Sequence, residues 1–274
     1  MPVKPSENEE EYFARREVER RHMRPKEAQS PLGEEQAKGL KNLGNGKLTD
    51  LPIITIHQGA SGYGEQLAES VASTLGCRCV SREVLAEVCA RCGIAEAKLN
   101  EILEREPRWW QLWLEDSRPY RIALQAAFCE LAQGGRLVYH GHLGHELLPG
   151  ISHVIKVLLT APMEVRIEQV RARLKVDDAA ARHHIEEIDK ARARRLPSMF
   201  DADPRDVSRY DIVLNMGRMS LKAAETLLVT AARLEDYQPT AGSEQAFRDL
   251  LVASRVEAAL MTSPKLRHLV VRVK

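Results

Sequence analysis

The chain has 274 residues, with 40 Lys+Arg against 39 Asp+Glu and a formal net charge of +1. That balance excludes bulk charge as a basis for holding nucleic acid or a membrane surface. Hydrophobic residues make up 44% and charged residues 29%, the composition of a globular domain with appendages. No run of about 18 apolar residues occurs, so no transmembrane segment is expected. The polar, acidic start MPVKPSENEEEY is unlike a secretory signal, which leaves the cytoplasm as the expected location.

Residues 1–50 stand apart. Twenty of these 50 positions are charged, ten of each sign. A helix is expected over 7–24, with Ser6 as N-cap and acids in its first turn. Its apolar residues, Tyr12, Phe13, Val18 and Met23, are too few to bury a face. Pro25, Pro31, Gly33, Gly39, Gly44 and Gly46 then mark a linker. The segment reads as a charged helical arm, suited to a second copy of the chain or to a protein partner.

The body starts at Leu51. Residues 51–57 (LPIITIH) form a β-branched apolar run that enters a glycine-rich turn, and helical spacing follows at Leu67, Ala68, Val71 and Leu75. Further apolar runs at 136–140, 154–160 and 210–215 have the near-continuous character of strands buried on both faces. Helices are expected between them, at 82–92, 95–105, 117–132, 163–174, 177–195 and 220–234. Strands alternating with helices predict an α/β fold of three layers around a mainly parallel sheet. An amphipathic stretch at 243–261 and an alternating run at 269–273 close the sequence.

Three clusters invite chemistry. Cys89 and Cys92 form a C-x-x-C, but they lie within an apolar helical pattern with no second pair at zinc spacing, which favours buried thiols. His140, His142 and His145, with His153 nearby, suggest a ligand pocket, and no fourth metal ligand is placed by the sequence, so no metal site is assigned. Trp109, Trp110 and Trp113 sit in a Pro-flanked stretch and fit either base stacking or a contact surface.

The turn after the first strand reads Gly59-Ala60-Ser61-Gly62-Tyr63-Gly64-Glu65-Gln66. Gly59 to Gly64 has the spacing of a Walker A loop, in which backbone N–H groups and a helix N-terminus cradle phosphate. The residues expected next are Lys and then Ser or Thr, the first for phosphate and the second for Mg²⁺. Glu65 and Gln66 stand there instead. A negative charge ~4 Å from a phosphate costs about 4 kcal/mol at an effective dielectric near 20. Either the loop is a plain glycine turn, or it is a phosphate site (Gly59, Ser61, Gly62, Tyr63, Gly64) altered at its key cation.

Six stretches in order resemble the cytidylate-kinase-like P-loop proteins, relatives of nucleoside monophosphate kinases. They are 80–85 (VSREVL), 131–138 (LAQGGRLV), 141–144 (GHLG), 161–167 (APMEVRI), 189–192 (DKAR) and 210–215 (YDIVLN). The resemblance runs from about 53 to 231 and implies a P-loop nucleoside-monophosphate-kinase-like fold over 51–236. It further implies ATP with Mg²⁺ as co-substrate if the chain is active, and CMP or a related nucleotide as acceptor. Arg192 would be the catalytic lid cation, oriented by Asp189 and backed by Arg194 and Arg195. Planar Arg suits a transferring phosphoryl group, although the same residues also fit a solvated basic helix face. Arg82 and His142 fall on the acceptor side, with His142 where the family carries Arg. Residues 243–274 resemble the opening helix and strand of a BON module, implying a truncated copy. Two functions remain open: a nucleotide-binding kinase relative that has kept or lost activity, and a non-catalytic nucleotide-sensing or protein-interaction scaffold.

Overall fold

The computed structural model describes residues 51–59, 63–81, 118–261 and 266. All of them belong to the compact unit Leu48–Lys274. The expected arm helix at 7–24 lies outside the described residues. So do Ser61, Gly62, Arg82, the Cys89/Cys92 pair, the three tryptophans and the strand expected at 269–273.

Five strands form one sheet: β1 (Ile53–Gln58), β2 (Arg78–Ser81), β3 (Leu137–His140), β4 (Val154–Thr160) and β5 (Ile212–Asn215). Their order is β2-β3-β1-β4-β5, and all four pairings are parallel. The helices are α1 (Gly64–Leu75), α2 (Arg118–Ala132), α3 (Gly144–Leu147), α4 (Met163–Leu174), α5 (Asp178–Phe200), α6 (Leu221–Ala231) and α7 (Ala241–Met261). The parallel three-layer α/β expectation therefore holds.

Alternation in β1 builds both layers of the core. Ile53 joins Leu137, Tyr139, Phe128 and Leu124 on one face. Ile54 and Ile56 join Leu67, Val71, Val138 and Leu228 on the other. Successive strand residues point to opposite faces, so a two-sided apolar strand can only sit in the middle of a covered sheet. The face of α2 also receives Phe247 and Leu251 from α7, so the helix expected at 243–261 packs into the domain core.

Local signals set the helix ends. Asp177 Oδ1 accepts from the Ala180 N–H at 2.8 Å to start α5, and the Ser220 hydroxyl accepts from the Ala223 N–H at 3.2 Å to start α6; each satisfies an orphan donor. At its C-terminus α5 runs to Phe200, past the end expected at 195 and through Pro197. Proline there deletes one intrahelical bond, and burial of Leu196 and Met199 in the sheet core offsets the loss. Helices α4 and α5 form a hairpin with an apolar cluster of its own, Ile167, Val170, Ala181 and Ile185.

Candidate functional site

In sequence order the chain leaves β1 towards β2 on one side and leaves β4 towards β5 on the other. β1 and β4 are adjacent, so their carboxyl ends flank the crevice where parallel α/β sheets bind ligands. A cavity of about 240 Å³ opens there, lined by residues from β1, β4, the β3–α3 turn and the α4–α5 hairpin.

One wall is cationic. Arg192 on α5 donates from Nη1 to the Gln58 carbonyl at 2.6 Å. Arg166 on α4 donates to Asp189 Oδ2 at 2.6 Å, and a side chain on Gly59 would press against this Arg166–Asp189 pair. The hairpin therefore sets two guanidinium groups and one carboxylate beside the end of β1. Arg166 is mostly covered and Asp189 is about a third exposed. Planar guanidinium is suited to phosphate or carboxylate.

The floor is aromatic and neutral. His57 is the penultimate residue of β1, and its ring centroid lies 5.0 Å from those of His142 and His145. Tyr210 stacks on His57 at 5.9 Å, and its hydroxyl lies 3.1 Å from His145 Nε2. Burial pushes the His57 pKa down to about 3, helped by the neighbouring His145 and Arg192. Burial also pushes His145 down to about 3, with Lys156 and Arg209 adding to the effect. Both rings are therefore uncharged near neutral pH. Glu146 lies 3.4 Å from His145 Nε2 and accepts from Arg209 Nε at 2.8 Å.

Two backbone features hold this floor. Leu143 is buried with φ 71, a left-handed conformation that a branched side chain adopts at a cost of order 1–3 kcal/mol. A side chain at Gly144 would collide with the Tyr139 ring. The Tyr139 hydroxyl in turn donates to the His142 carbonyl at 3.3 Å. Burying the Tyr139 ring beneath the turn thus fixes where His142 and His145 project.

The loop side is partly closed by the protein itself. The Gly64 N–H, first amide of α1, donates to Gln58 Oε1 at 2.7 Å. The Gln58 amide covers Gly64 so closely that a Cβ would overlap it. Glu65 and Gln66 are exposed on the outward turn of α1, and neither lines the cavity. The negative charge of Glu65 acts instead on Cys79, raising its pKa together with Glu69 after burial. Among the described residues, Glu65 therefore takes no part in the cavity. The described residues still do not fit a triphosphate with Mg²⁺ at this helix start, because the Gly64 amide is already bonded and Gln66 offers no hydroxyl.

Of the residues singled out in the sequence, Gly59, Tyr63, His142, Asp189 and Arg192 line this same cavity. Gly64 lies at its edge under Gln58. Of Arg194 and Arg195, only the helical backbone is described. Asp189 pairs with Arg166, a partner 23 residues earlier in the chain. Sequence reasoning missed His57, Gln58, Arg166 and Tyr210. Arg166 and Tyr210 lay inside quoted stretches, APMEVRI and YDIVLN, where they were read as marks of resemblance and not as site residues.

Residues 53–218 match the sequence profile of the Cytidylate kinase-like family, well over half the chain. The chain belongs to that family. The cytidylate kinase of Methanopyrus kandleri is 30% identical over 184 residues, covering 65% of this chain and 92% of that one. The cytidylate kinase of Methanothermobacter thermautotrophicus is 29% identical over 175 residues, covering 63% and 99%. The fold is also that of the crystal structure of an uncharacterized protein from Eubacterium ventriosum, with a TM-score of 0.53 at 19% identity, covering 66% and 97%. Among the described residues, no helix is long and apolar enough to cross a membrane. Membership gives the chain a nucleotide-kinase-like character, and the cavity lies where such a fold presents its ligand.

Proposed function

We propose that this chain is a nucleotide-binding member of its family. It holds CMP or a related nucleoside monophosphate at the end of β1 and has lost most of its capacity for ATP-dependent phosphoryl transfer. The observation that carries this reading is the pair of guanidinium groups, Arg166 and Arg192, fixed at the cavity wall by Asp189 and by the Gln58 carbonyl. With the Asp189 carboxylate that holds Arg166 in place, they leave a net charge of about +1, which offsets part of the charge of one phosphate. The loop supports the loss of transfer. Where phosphoryl transfer depends on positioning and on neutralising developing charge, Glu65 and Gln66 offer neither the cation nor the hydroxyl.

Thermal-shift and calorimetric titrations with CMP, dCMP and ATP, with and without Mg²⁺, test the proposal. Saturation at about 100 times Kd stabilises by roughly 2.7 kcal/mol. The expected result is a shift with CMP or dCMP, little change with ATP–Mg²⁺, and ADP production near background in a coupled assay. A family-level turnover would restore full kinase activity to the reading. A flat response to every nucleotide would favour an interaction scaffold.

A further inference from the structure

The start of α1 breaks a local rule. Tyr63 is its N-cap residue, and its side chain makes no capping hydrogen bond. Ser, Thr, Asp or Asn is favoured at that position, because a short side-chain oxygen can take up a first-turn amide. Here the task passes to Gln58, whose Oε1 accepts from the Gly64 N–H at 2.7 Å. The tyrosine is thereby released from capping. A rule broken at one residue and compensated from another is the pattern expected of a functional position.

The surroundings of Tyr63 define what its ring can do. It packs against the apolar cluster that contains Ile54, Ile56, Leu67 and Leu228, and it also lines the cavity. Leu159 and Met216 of that cluster line the same cavity, as does Ala161, which packs on it. The cavity therefore has an apolar side as well as its guanidinium wall. Five rings line it among the described residues: His57, Tyr63, His142, His145 and Tyr210. His57 meets His142, His145 and Tyr210, and His145 meets Tyr210. None of these contacts includes Tyr63, which is half-exposed. A ring braced by apolar core, open to a cavity and without a stacked partner offers a place for a flat ligand group.

A phosphate is matched by the Arg166–Arg192 wall and is excluded from an apolar side by its charge. The base of a nucleotide is flat and uncharged, and every base has a π-face that stacks on an aromatic ring. We propose that Tyr63 is the stacking platform for the base of the bound nucleotide, while the phosphate lies at the wall. The proposal rests on the nucleotide reading above and adds the residue that holds the base.

Calorimetric titration of the full chain with CMP and with ribose 5-phosphate, which keeps the sugar and phosphate and lacks the base, tests it in wild type, Tyr63→Phe and Tyr63→Leu. Tyr63→Leu keeps an apolar side chain and removes the ring. It is expected to weaken CMP about 5- to 30-fold, the lower part of the range for a base stacked on an aromatic residue. Tyr63→Phe should bind CMP as wild type does. Ribose 5-phosphate should bind all three proteins alike and more weakly than CMP binds wild type. Unchanged CMP affinity in Tyr63→Leu, a loss in Tyr63→Phe as large as in Tyr63→Leu, or an equal loss for CMP and ribose 5-phosphate overturns the platform alone. No binding of CMP by wild type overturns the nucleotide reading and the platform with it.

Discussion

The two sides of the cavity are built by different parts of the molecule and have opposite chemistry. The floor comes from the sheet: His57, His142, His145 and Tyr210 stand on or beside strands whose neighbours are fully buried, and burial strips the charge from His57 and His145. The wall comes from the α4–α5 hairpin, which has only a small apolar cluster of its own, and there Arg166 and Arg192 keep their charge in partial contact with water. Depth in the fold therefore decides polarity. A group anchored in the core must be neutral, whereas a group on an appended hairpin can carry charge.

Acid should expose this contrast first. His57 and His145 ionise near 3 in the folded chain, against an ordinary value of 6.5. The unfolded chain therefore binds more protons, so stability is complete above about pH 6.5 and is lost as pH falls towards 3. Between pH 7.5 and 5.5 each ring contributes a loss of about 1.4 kcal/mol, about 3 for the pair. Urea melts at the two pH values measure it. His145→Phe should be less stable at neutral pH yet lose about half of the pH dependence. A flat profile would mean that the floor is not shut off from water.

Removing charge from the wall comes next. Arg192→Ala should weaken CMP by about 1.5–3 kcal/mol, roughly 10- to 150-fold, and lower the salt dependence of binding. Its effect on the pH profile of stability should be small. A loss of affinity confined to the histidine variants would reverse the assignment of phosphate to the wall.

A smaller effect is expected at Gln58. Gln58→Ala frees the Gly64 N–H that its amide now occupies. Triphosphate binding should tighten by about 1 kcal/mol, roughly fivefold, with CMP little changed. If ATP affinity does not move in calorimetry, the helix start is closed by more than this side chain. The least effect belongs to Glu65→Lys. Glu65 is exposed and outside the cavity lining, so its substitution should change ATP affinity by less than about 0.5 kcal/mol, the range of exposed charge pairs. A tenfold gain in titration would show that the side chain reaches the loop after all.

Much of the fold was legible because β1, β3 and β4 must be apolar on both faces, and sequence shows that directly. The end of α5 was not legible. Pro197 signals a stop, and only the burial of Leu196 and Met199 explains why the helix continues. In the site, Asp189, Arg192 and His142 could be found because they sit within short stretches of a recognisable order. His57 read as one more residue of a strand; its role depends on His142 and His145, more than 80 positions away in sequence. Gln58 was invisible for a different reason. Its amide oxygen takes up the Gly64 N–H, an act of side-chain geometry with no periodic or compositional mark. Glu65 was legible as a departure, but its direction was not: a residue on the first helical turn can face the loop or the solvent, and only the structure turned it outward.

The most direct test of the account is calorimetric titration of CMP into wild type, Arg192→Ala and, as a control, Arg248→Ala, whose guanidinium is largely exposed on α7 away from the cavity lining. The account predicts one-site binding by wild type and by Arg248→Ala with equal affinity, and a loss of at least tenfold in Arg192→Ala. Equal affinity in all three proteins, or no binding of CMP by wild type, would contradict it.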